Sequence, residues 1–551
     1  MPACPICRQK IRRTQQYQSI LLNSLSIDTT MRIILFLKIM KITKLLSAAA
    51  ISVLPLFAYS AQPVSDTVRS VMDERLAPKP VSTAYFEGLY NLSDKSAVSV
   101  ETPAKLTDAQ KAVILKTFKD YWKLSPNVVF TESDTAAAIK REGYNLDIAP
   151  QVLKISAKDF EGVRHALKTV RQLAEVGRDD DGYFLQSCKI TDAPALDFRA
   201  VHLCIYPETT PAELEKRVRL AAYYKFNYVI IEPWGTFPFK THPELSFNNK
   251  TFSRTELRRI VDLAYELGIT PIPQLTILGH VSGGTNESAK HAILTRFPEM
   301  AKLLEPHGWS WCMSNPEAVK LLEEAVAEIH EFFGNPPFFH IGCDEAYDMA
   351  TCYKCRQTSL GKLLGKHILH FRDLLEKRGA RTIMWHDMLV EEGDPRWDKC
   401  TATGHPNTDM NELFKVLPKD VVIADWQYDP LPKGQKYWPT SIYFKENGFD
   451  TVICPYFEIS NIKNAEATAC DNKLFGMICT TWSRTMGSPG RRLFYTAANA
   501  AWGSDPKKFS NSWKDYRCNY NTHLRTMDID SGIDSYEDLG STPHVGVERH
   551  L

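Results

Sequence analysis

The chain has almost no excess of charge of either sign, since 66 Lys and Arg residues stand against 65 Asp and Glu, for a net charge of +1. A balanced chain offers no electrostatic footprint for a polyanion, so neither nucleic acid nor an anionic membrane surface is an expected partner. Aromatic residues, in contrast, are plentiful, with 11 Trp, 22 Tyr and 26 Phe. At 551 residues the chain exceeds one ordinary domain, and about two or three domains are expected.

Long apolar runs are also scarce, and the one that stands out lies near the N-terminus. Met40–Lys44 is a short basic start, Leu45–Phe57 is apolar, and Ala58–Ala61 supplies the small residues of a cleavage site. This pattern is typical of a secretory signal peptide, and the apolar run is too short for a stable membrane anchor. No Cys follows the run, so a lipoprotein anchor is not expected.

We therefore interpret residues 1–39 as a non-native N-terminal extension and residues 40–61 as a signal peptide. The protein is then exported, to the periplasm or the medium, and begins near Gln62. Because residues 31–39 are also apolar, a longer hydrophobic anchor is the competing interpretation.

Two patterns divide the rest of the chain. Residues 62–195 mix helical spacing with short alternating runs, which favours a small α+β domain. Residues 196–505 repeat apolar strands and amphipathic helices, and eight such units over about 300 residues predict an α/β (β/α)₈ TIM barrel. Residues 506–551 are polar and are expected to form a C-terminal tail.

A run from Phe338 to Glu345 is the most informative stretch. Its apolar start predicts a buried strand, which ends in the adjacent carboxylates Asp344 and Glu345. In a barrel of parallel strands, catalytic residues lie at the C-terminal ends of the strands. A solvated turn is the ordinary explanation of a lone Asp-Glu pair. The residues at the other strand ends therefore decide between a solvated turn and a catalytic site.

Those strand ends carry carboxylates, imidazoles and large aromatic rings. The candidate residues are Glu232, His280, Trp385, Asp387, Trp426, Tyr456, Glu458, Trp482 and Arg484. Apolar rings beside convergent hydrogen-bonding groups suit a sugar, which has CH-rich faces and hydroxyl edges.

At this point the chain resembles glycoside hydrolase family 20, the β-N-acetylhexosaminidases. The resemblance rests on Gly279-His280 after the third barrel strand and on the His-x-Gly-x-Asp-Glu pattern of residues 340–345 after the fourth. Residues 76–80, 142–146 and 190–194 resemble the small domain of the family. Ile230-Ile231-Glu232, Cys343 and residues 481–484 resemble the hexosaminidase D-like branch most closely.

The resemblance implies a retaining exo-β-N-acetylhexosaminidase that acts on terminal N-acetylglucosamine or N-acetylgalactosamine through an oxazolinium intermediate. In it Glu345 is the general acid, Asp344 holds the substrate's acetamido N–H, and Tyr456 orients the acetamido oxygen. Trp385, Trp426 and Trp482 would wall the pocket. His280, Glu232, Asp387, Glu458 and Arg484 are further candidates for substrate contacts. The resemblance implies a glycan as partner, no cofactor, and no metal in the site.

One departure from the family bears on the substrate. Many members carry an Arg shortly after strand one, where this chain reads His202 to Glu208 without an Arg. A hydrolase of a modified hexosaminide and a catalytically silent glycan-binding barrel therefore stay open. A metal site on His340 is not favoured because no second His lies at ligand spacing. A chitinase-type barrel is not favoured either, since the chain has no Asp-x-x-Asp-x-Asp-x-Glu run.

Cysteines leave a further question. Cys352 and Cys355 have the spacing of half a zinc site, with Cys312 and Cys343 as possible partners. A local disulfide and a set of ordinary loop thiols are the alternatives.

Overall fold

The structure is a computed structural model of the whole chain. It describes residues 62–176, 182–207, 209–246, 252–282, 293–406, 408–456, 458–482 and 493–504. The predicted extension (1–39), signal peptide (40–61) and tail (506–551) lie outside the described residues, as does Arg484. Within the described ranges, no helix combines the length and the apolarity needed to cross a bilayer.

An α+β region comes first along the described chain. Its helices are α1 Asp66–Arg75, α2 Asp108–Trp122 and α3 Phe160–Leu173. Its strands are β1 Ser82–Leu92, β2 Ala97–Thr102, β3 Asn127–Glu132, β4 Tyr144–Ala149, β5 Val152–Ala157, β6 Glu175–Val176 and β7 Tyr183–Asp192. They form one mixed sheet in the order β1-β7-β4-β5-β2-β3, with β6 beside β7.

Eight parallel strands follow. They are β8 Phe198–Ile205, β9 Tyr228–Pro233, β10 Thr270–Pro273, β11 Phe338–His340, β12 Arg381–Trp385, β13 Val422–Trp426, β14 Thr451–Cys454 and β15 Gly476–Cys479. Their order is β10-β9-β8-β15-β14-β13-β12-β11, and a parallel bridge between Gln274 and His340 joins the two ends. The predicted (β/α)₈ barrel after a small α+β region is confirmed.

Helices lie between most of these strands. They are α4 Pro211–Tyr223, α5 Arg254–Glu266, α6 Ile293–Arg296, α7 Pro316–Phe332, α8 Leu360–Lys377, α9 Met410–Val416, α10 Pro439–Glu446, α11 Ile459–Asn472 and α12 Ala498–Trp502. Helix α7 leads into β11, the strand that precedes the acid pair. It begins with Pro316 after the N-cap Asn315, whose side chain accepts the N–H of Glu317.

Alternation along the strands separates the barrel interior from the helix layer. On β8, Phe198 and Ala200 belong to the inner core, whereas Val201 and Leu203 pack with the outer helices. Because side chains alternate with period two, His202 faces the interior above the apolar layers. The upper interior therefore receives the polar and aromatic residues of the strand ends.

Strand β11 is shorter than the predicted run to Cys343. It ends at His340 because Gly342 and Cys343 have φ of 69° and 71°, which a strand cannot accommodate. The acid pair consequently lies on a turn beyond the strand.

A buried ion pair joins the α+β region to the barrel. Asp192, at the end of β7, accepts bonds from Lys225 Nζ at 3.0 Å and from Trp502 Nε1 at 2.8 Å. The hydroxyl of Tyr144 donates to the same carboxylate at 2.8 Å. The Asp192 and Lys225 side chains are both fully buried, and burial lowers the pKa of Lys225. The family-like residues 142–146 and 190–194 thus supply contacts between the two parts.

Asp192→Asn is expected to lower the free energy of unfolding by about 3–5 kcal/mol, because it leaves Lys225 buried without its counter-charge. Urea denaturation measures this loss. Asp147→Asn is the matched control, since its pair with Lys189 is about half exposed and should change stability by less than about 1 kcal/mol. Equal losses in the two variants would contradict the assigned role of the buried pair.

Candidate active site

Tight backbone turns position the acid pair. Glu345 has φ of 46° and His280 has φ of 63°, and such conformations are uncommon for residues other than glycine. A Cβ at Gly342 would lie 2.9 Å from Thr276 Oγ1, and one at Gly279 would lie 2.4 Å from the carbonyl oxygen of Asp344. Glycine at these two positions therefore lets the turns after β10 and β11 pack directly against each other.

Asp344, Glu345 and His280 meet between those two turns. Nε2 of His280 lies 3.1 Å from Asp344 Oδ2 and 3.3 Å from Glu345 Oε2. The two carboxylates differ in exposure, with 9% of the Asp344 side chain and 30% of the Glu345 side chain accessible. Glu345 Oε1 also accepts the hydroxyl of Tyr347 at 2.8 Å. The more accessible acid is thus placed to exchange a proton with a ligand, while its neighbour stays enclosed.

Asp387 ties this turn to the next two strands. It accepts the backbone N–H of Glu345 at 2.9 Å, Trp426 Nε1 at 3.0 Å and the hydroxyl of Thr403. Burial raises the pKa of Asp387, and the nearby charge of Asp344 acts in the same direction. With both oxygens engaged by protein donors, Asp387 orients the acid-bearing turn and the Trp426 ring.

Aromatic rings form one side of the site. The rings of Trp385 and Trp482 are 5.9 Å apart, and Trp385 lies 4.3 Å from the ring of His340. Trp385 is fully buried, and its indole N–H has no hydrogen-bond partner among the described residues. A buried donor of this kind is costly unless it is satisfied, and an acceptor on a ligand would satisfy it.

Tyr428 connects the remaining rings. Its ring centroid is 5.2 Å from that of Trp426 and 5.4 Å from that of Tyr456, and its hydroxyl accepts Trp482 Nε1 at 2.6 Å. Burial raises the pKa of Tyr428 well above the ordinary value, so the phenol remains neutral. Tyr428, which was not predicted, therefore contacts three aromatic residues that were: Trp426, Tyr456 and Trp482.

The other predicted residues have different surroundings. Glu232 is buried and accepts bonds from Gln274 Nε2 at 2.7 Å, Trp234 Nε1 at 3.1 Å and His202 Nε2 at 3.1 Å. It thereby links the first three barrel strands from inside. Glu458 is exposed and precedes helix α11.

Sequence reasoning did not identify Tyr428, Tyr347 or Trp309. Trp309 Nε1 donates to the carbonyl oxygen of Glu345 at 2.6 Å, and its ring lies 4.6 Å from that of His280. Two of the three had a detectable signal, since Tyr428 follows Trp426 by two residues and Tyr347 follows Glu345 by two. Trp309 lies in the long connection after β10, where no periodic pattern indicated its direction.

Among curated proteins, a β-hexosaminidase of Vibrio furnissii is 22% identical over 481 residues, covering 78% of this chain and 76% of that protein. A probable β-hexosaminidase of Drosophila melanogaster is 25% identical over 228 residues, 37% of this chain and 33% of that protein. Bovine hexosaminidase D is 27% identical over 174 residues, 30% of this chain and 47% of that protein. The matched region is thus less than half of the last two proteins, and placement in the hexosaminidase D-like branch stays a prediction.

Solved structures share the fold. A chitobiase of Flavobacterium johnsoniae has a TM-score of 0.63 at 18% identity, covering 84% of this chain and 74% of that one. An exo-β-N-acetylglucosaminidase of Vibrio harveyi, solved with N-acetylglucosamine, has a TM-score of 0.62 at 17% identity. The match covers 90% of this chain and 81% of that one.

Two family models match the chain, the catalytic domain of glycosyl hydrolase family 20 over residues 222–491 and domain 2 of the same family over residues 73–193. Both of the matched parts, the small domain and the barrel with its acid pair, are those described above. The chain is therefore a glycoside hydrolase by descent and belongs to glycosyl hydrolase family 20.

Proposed function

We propose that this protein is an exported, retaining exo-β-N-acetylhexosaminidase for terminal β-linked N-acetylglucosamine or N-acetylgalactosamine. The observation that carries the proposal is the enclosed Asp344 beside the more accessible Glu345, both in reach of His280 at the C-terminal end of a barrel strand. The β-hexosaminidase of Vibrio furnissii, matched over three quarters of its length, supports the same reaction.

Glu345 acts as general acid in this proposal and protonates the departing glycosidic oxygen. Its exposed fraction gives it access to the substrate, and Tyr347 and His280 hold its two oxygens in a fixed orientation. After departure of the leaving group, the same carboxylate takes a proton from the attacking water.

Asp344 and Tyr456 act on the 2-acetamido group of the substrate. In substrate-assisted hydrolysis the acetamido oxygen attacks the anomeric carbon, so the enzyme supplies no carboxylate nucleophile. Asp344 accepts the acetamido N–H and stabilises the positive charge of the oxazolinium intermediate. Tyr456 donates to the acetamido oxygen, and Trp385, Trp426 and Trp482 enclose the methyl group and the ring.

The residues at the end of strand β8 favour a modified hexosaminide as the second candidate substrate. His202 and Cys204 both point to the carboxylate of Glu232, and Tyr206 donates its hydroxyl to the Trp482 carbonyl oxygen at 3.0 Å. Among the described residues of this strand, Arg199 is the only Lys or Arg, and it is bound to Glu142 in the domain interface. A substrate whose hydroxyls need a cation at this end would bind poorly.

Asp344→Asn and Glu345→Gln are each expected to lower kcat on aryl N-acetyl-β-glucosaminide or N-acetyl-β-galactosaminide by a factor of ~10² or more. Release of the aryl alcohol measures turnover. The loss for Glu345→Gln should shrink when the leaving group is a good one, because such a group needs little protonation. Glu331→Gln, an exposed change on α7, is the matched control and should retain wild-type kcat.

The same assay with an aryl β-glucoside, which has a hydroxyl in place of the acetamido group, separates the mechanisms. Substrate-assisted catalysis requires that this compound is not hydrolysed. Its turnover at a comparable rate would contradict the acetamido roles. A folded protein that binds N-acetylhexosaminides without turnover would establish the glycan-binding alternative, and turnover of only modified hexosaminides would establish the second substrate class.

Tyr428→Phe is expected to lower kcat/KM about tenfold. The change removes the acceptor of the Trp482 indole N–H, and leaving such a donor unsatisfied costs about 1–3 kcal/mol, where 1.4 kcal/mol corresponds to a factor of ten. Steady-state kinetics measures the loss. Tyr437→Phe removes an exposed hydroxyl bond to Asp471 and should leave kcat/KM unchanged. Unaltered kinetics in Tyr428→Phe would contradict its positioning role.

Export is supported by the sequence pattern of residues 40–61. Expression of the full chain from Met1, in a host with a secretory pathway, is expected to yield a processed protein whose N-terminus lies near Gln62. N-terminal sequencing and fractionation of the cells measure this. Recovery of an unprocessed chain in the membrane fraction would instead establish the longer anchor that includes residues 31–39.

A further inference from the structure

Three thiols and one carboxylate meet outside the candidate active site. Cys312, Cys352, Cys355 and Glu305 each offer one ligand atom, and these four atoms lie within 4.8 Å of one another. Glu305 and Cys312 belong to the long connection after β10, whereas Cys352 and Cys355 belong to the loop after the acid pair. The cluster thus brings together two segments that are far apart in sequence.

The sulfur positions fit a tetrahedral metal ion. Cys312 Sγ lies 3.5 Å from Cys352 Sγ and 3.6 Å from Cys355 Sγ. Two thiolates bound to one zinc ion at about 2.3 Å each are separated by about 3.8 Å in tetrahedral geometry. A disulfide would require about 2.05 Å. The backbone N–H of Cys355 also donates to Cys352 Sγ at 3.3 Å, which fixes the direction of that sulfur.

Glu305 supplies the fourth corner. Its exposed fraction is 1%, and its Oε2 accepts the backbone N–H of Cys352 at 2.6 Å. Oε1 is buried and has no hydrogen-bond partner within the part of the chain that the structure describes. A buried carboxylate oxygen without a donor is costly, and a bound cation would remove that cost.

We propose that Cys312, Cys352, Cys355 and Glu305 form a structural zinc site. Three thiolates with one carboxylate are a donor set that favours zinc over the hard cations magnesium and calcium. All four positions are taken by protein ligands, which is the arrangement of a structural rather than a catalytic site. Cys343, a possible partner by spacing, is not in the cluster, because its thiol donates to the Ile341 carbonyl oxygen at 3.7 Å.

The site would fix the loop that carries the acid pair. Between Glu305 and Cys312 lies Trp309, whose indole N–H binds the Glu345 carbonyl oxygen. Between Glu345 and Cys352 lies Asp348, which accepts the backbone N–H of Trp309 at 3.2 Å. Zinc at the far end of these two segments would hold them together where no regular strand pairing does.

Metal analysis of the full chain, purified without a histidine tag, is expected to find one zinc ion per chain. Cys352→Ser and Cys355→Ser should each lower that content to background and lower the thermal unfolding midpoint. Cys400→Ser, which changes a partly buried thiol outside the cluster, is the control and should retain the zinc. Cobalt substitution should give the charge-transfer absorption of cobalt thiolate, lost in the same two variants.

The wild-type protein alone tests the proposal even if the variants fail to fold. A thiol-blocking reagent should release one zinc ion to a colorimetric chelator. A disulfide from Cys312 to Cys352 or Cys355, found by mass spectrometry of the unreduced protein, would overturn the proposal. So would a metal-free protein with all three thiols reactive, or zinc that stays bound in both variants.

Discussion

Closure of the barrel between β10 and β11 is the constraint on which the candidate site depends. The bridge from Gln274 to His340 is extended by two backbone bonds, from Leu275 to the His340 carbonyl and from Ile277 to that of Ile341. These bonds carry the two segments side by side beyond their regular strands. In this register His280 reaches both carboxylates of the acid pair, and glycine at 279 and 342 leaves room for the approach.

Such closeness creates an electrostatic problem that the surrounding residues resolve. Asp344, Glu345 and Asp387 lie near one another, and uncompensated charges at a buried rim would be costly. Protein groups face them instead: the His280 imidazole lies within 3.3 Å of the first two, Tyr347 donates to Glu345, and Trp426 and Thr403 donate to Asp387. The same contacts fix the orientation of the Glu345 carboxyl group. The groups that compensate its charge therefore also position it.

The small domain is also joined to the barrel by buried polar contacts. Its family-like segments do not line the site but place Glu142, Tyr144 and Asp192 against the barrel base. Arg199, near the start of strand β8, and Lys225, just before β9, receive them. The interface is polar and buried, so its geometry is specified by hydrogen bonds rather than by apolar area alone.

A feature of the fold or of the site could be predicted from the sequence where the pattern that indicates it lies within a single helix or strand. The eight strand-helix units of the barrel were predicted and are present, because apolar periodicity reports burial one element at a time. The positions of the strand ends were predictable for the same reason, whereas the roles of the residues there stay predictions. The early end of β11 was not, since it depends on positive φ at Gly342 and Cys343, and the run of apolar residues continues through that turn.

The sequence by itself therefore determined the barrel, its order of elements and the strand that leads to the acid pair. Tertiary structure alone decided which side chains meet: Tyr428 under Trp482, Trp309 on Glu345, and Glu305 rather than Cys343 among the three cysteines. Each of these contacts joins segments that are distant in sequence, through loops that have no period. Local pattern specifies the burial and direction of a side chain within its own element, whereas a contact between loops depends on how the closed barrel brings those loops together.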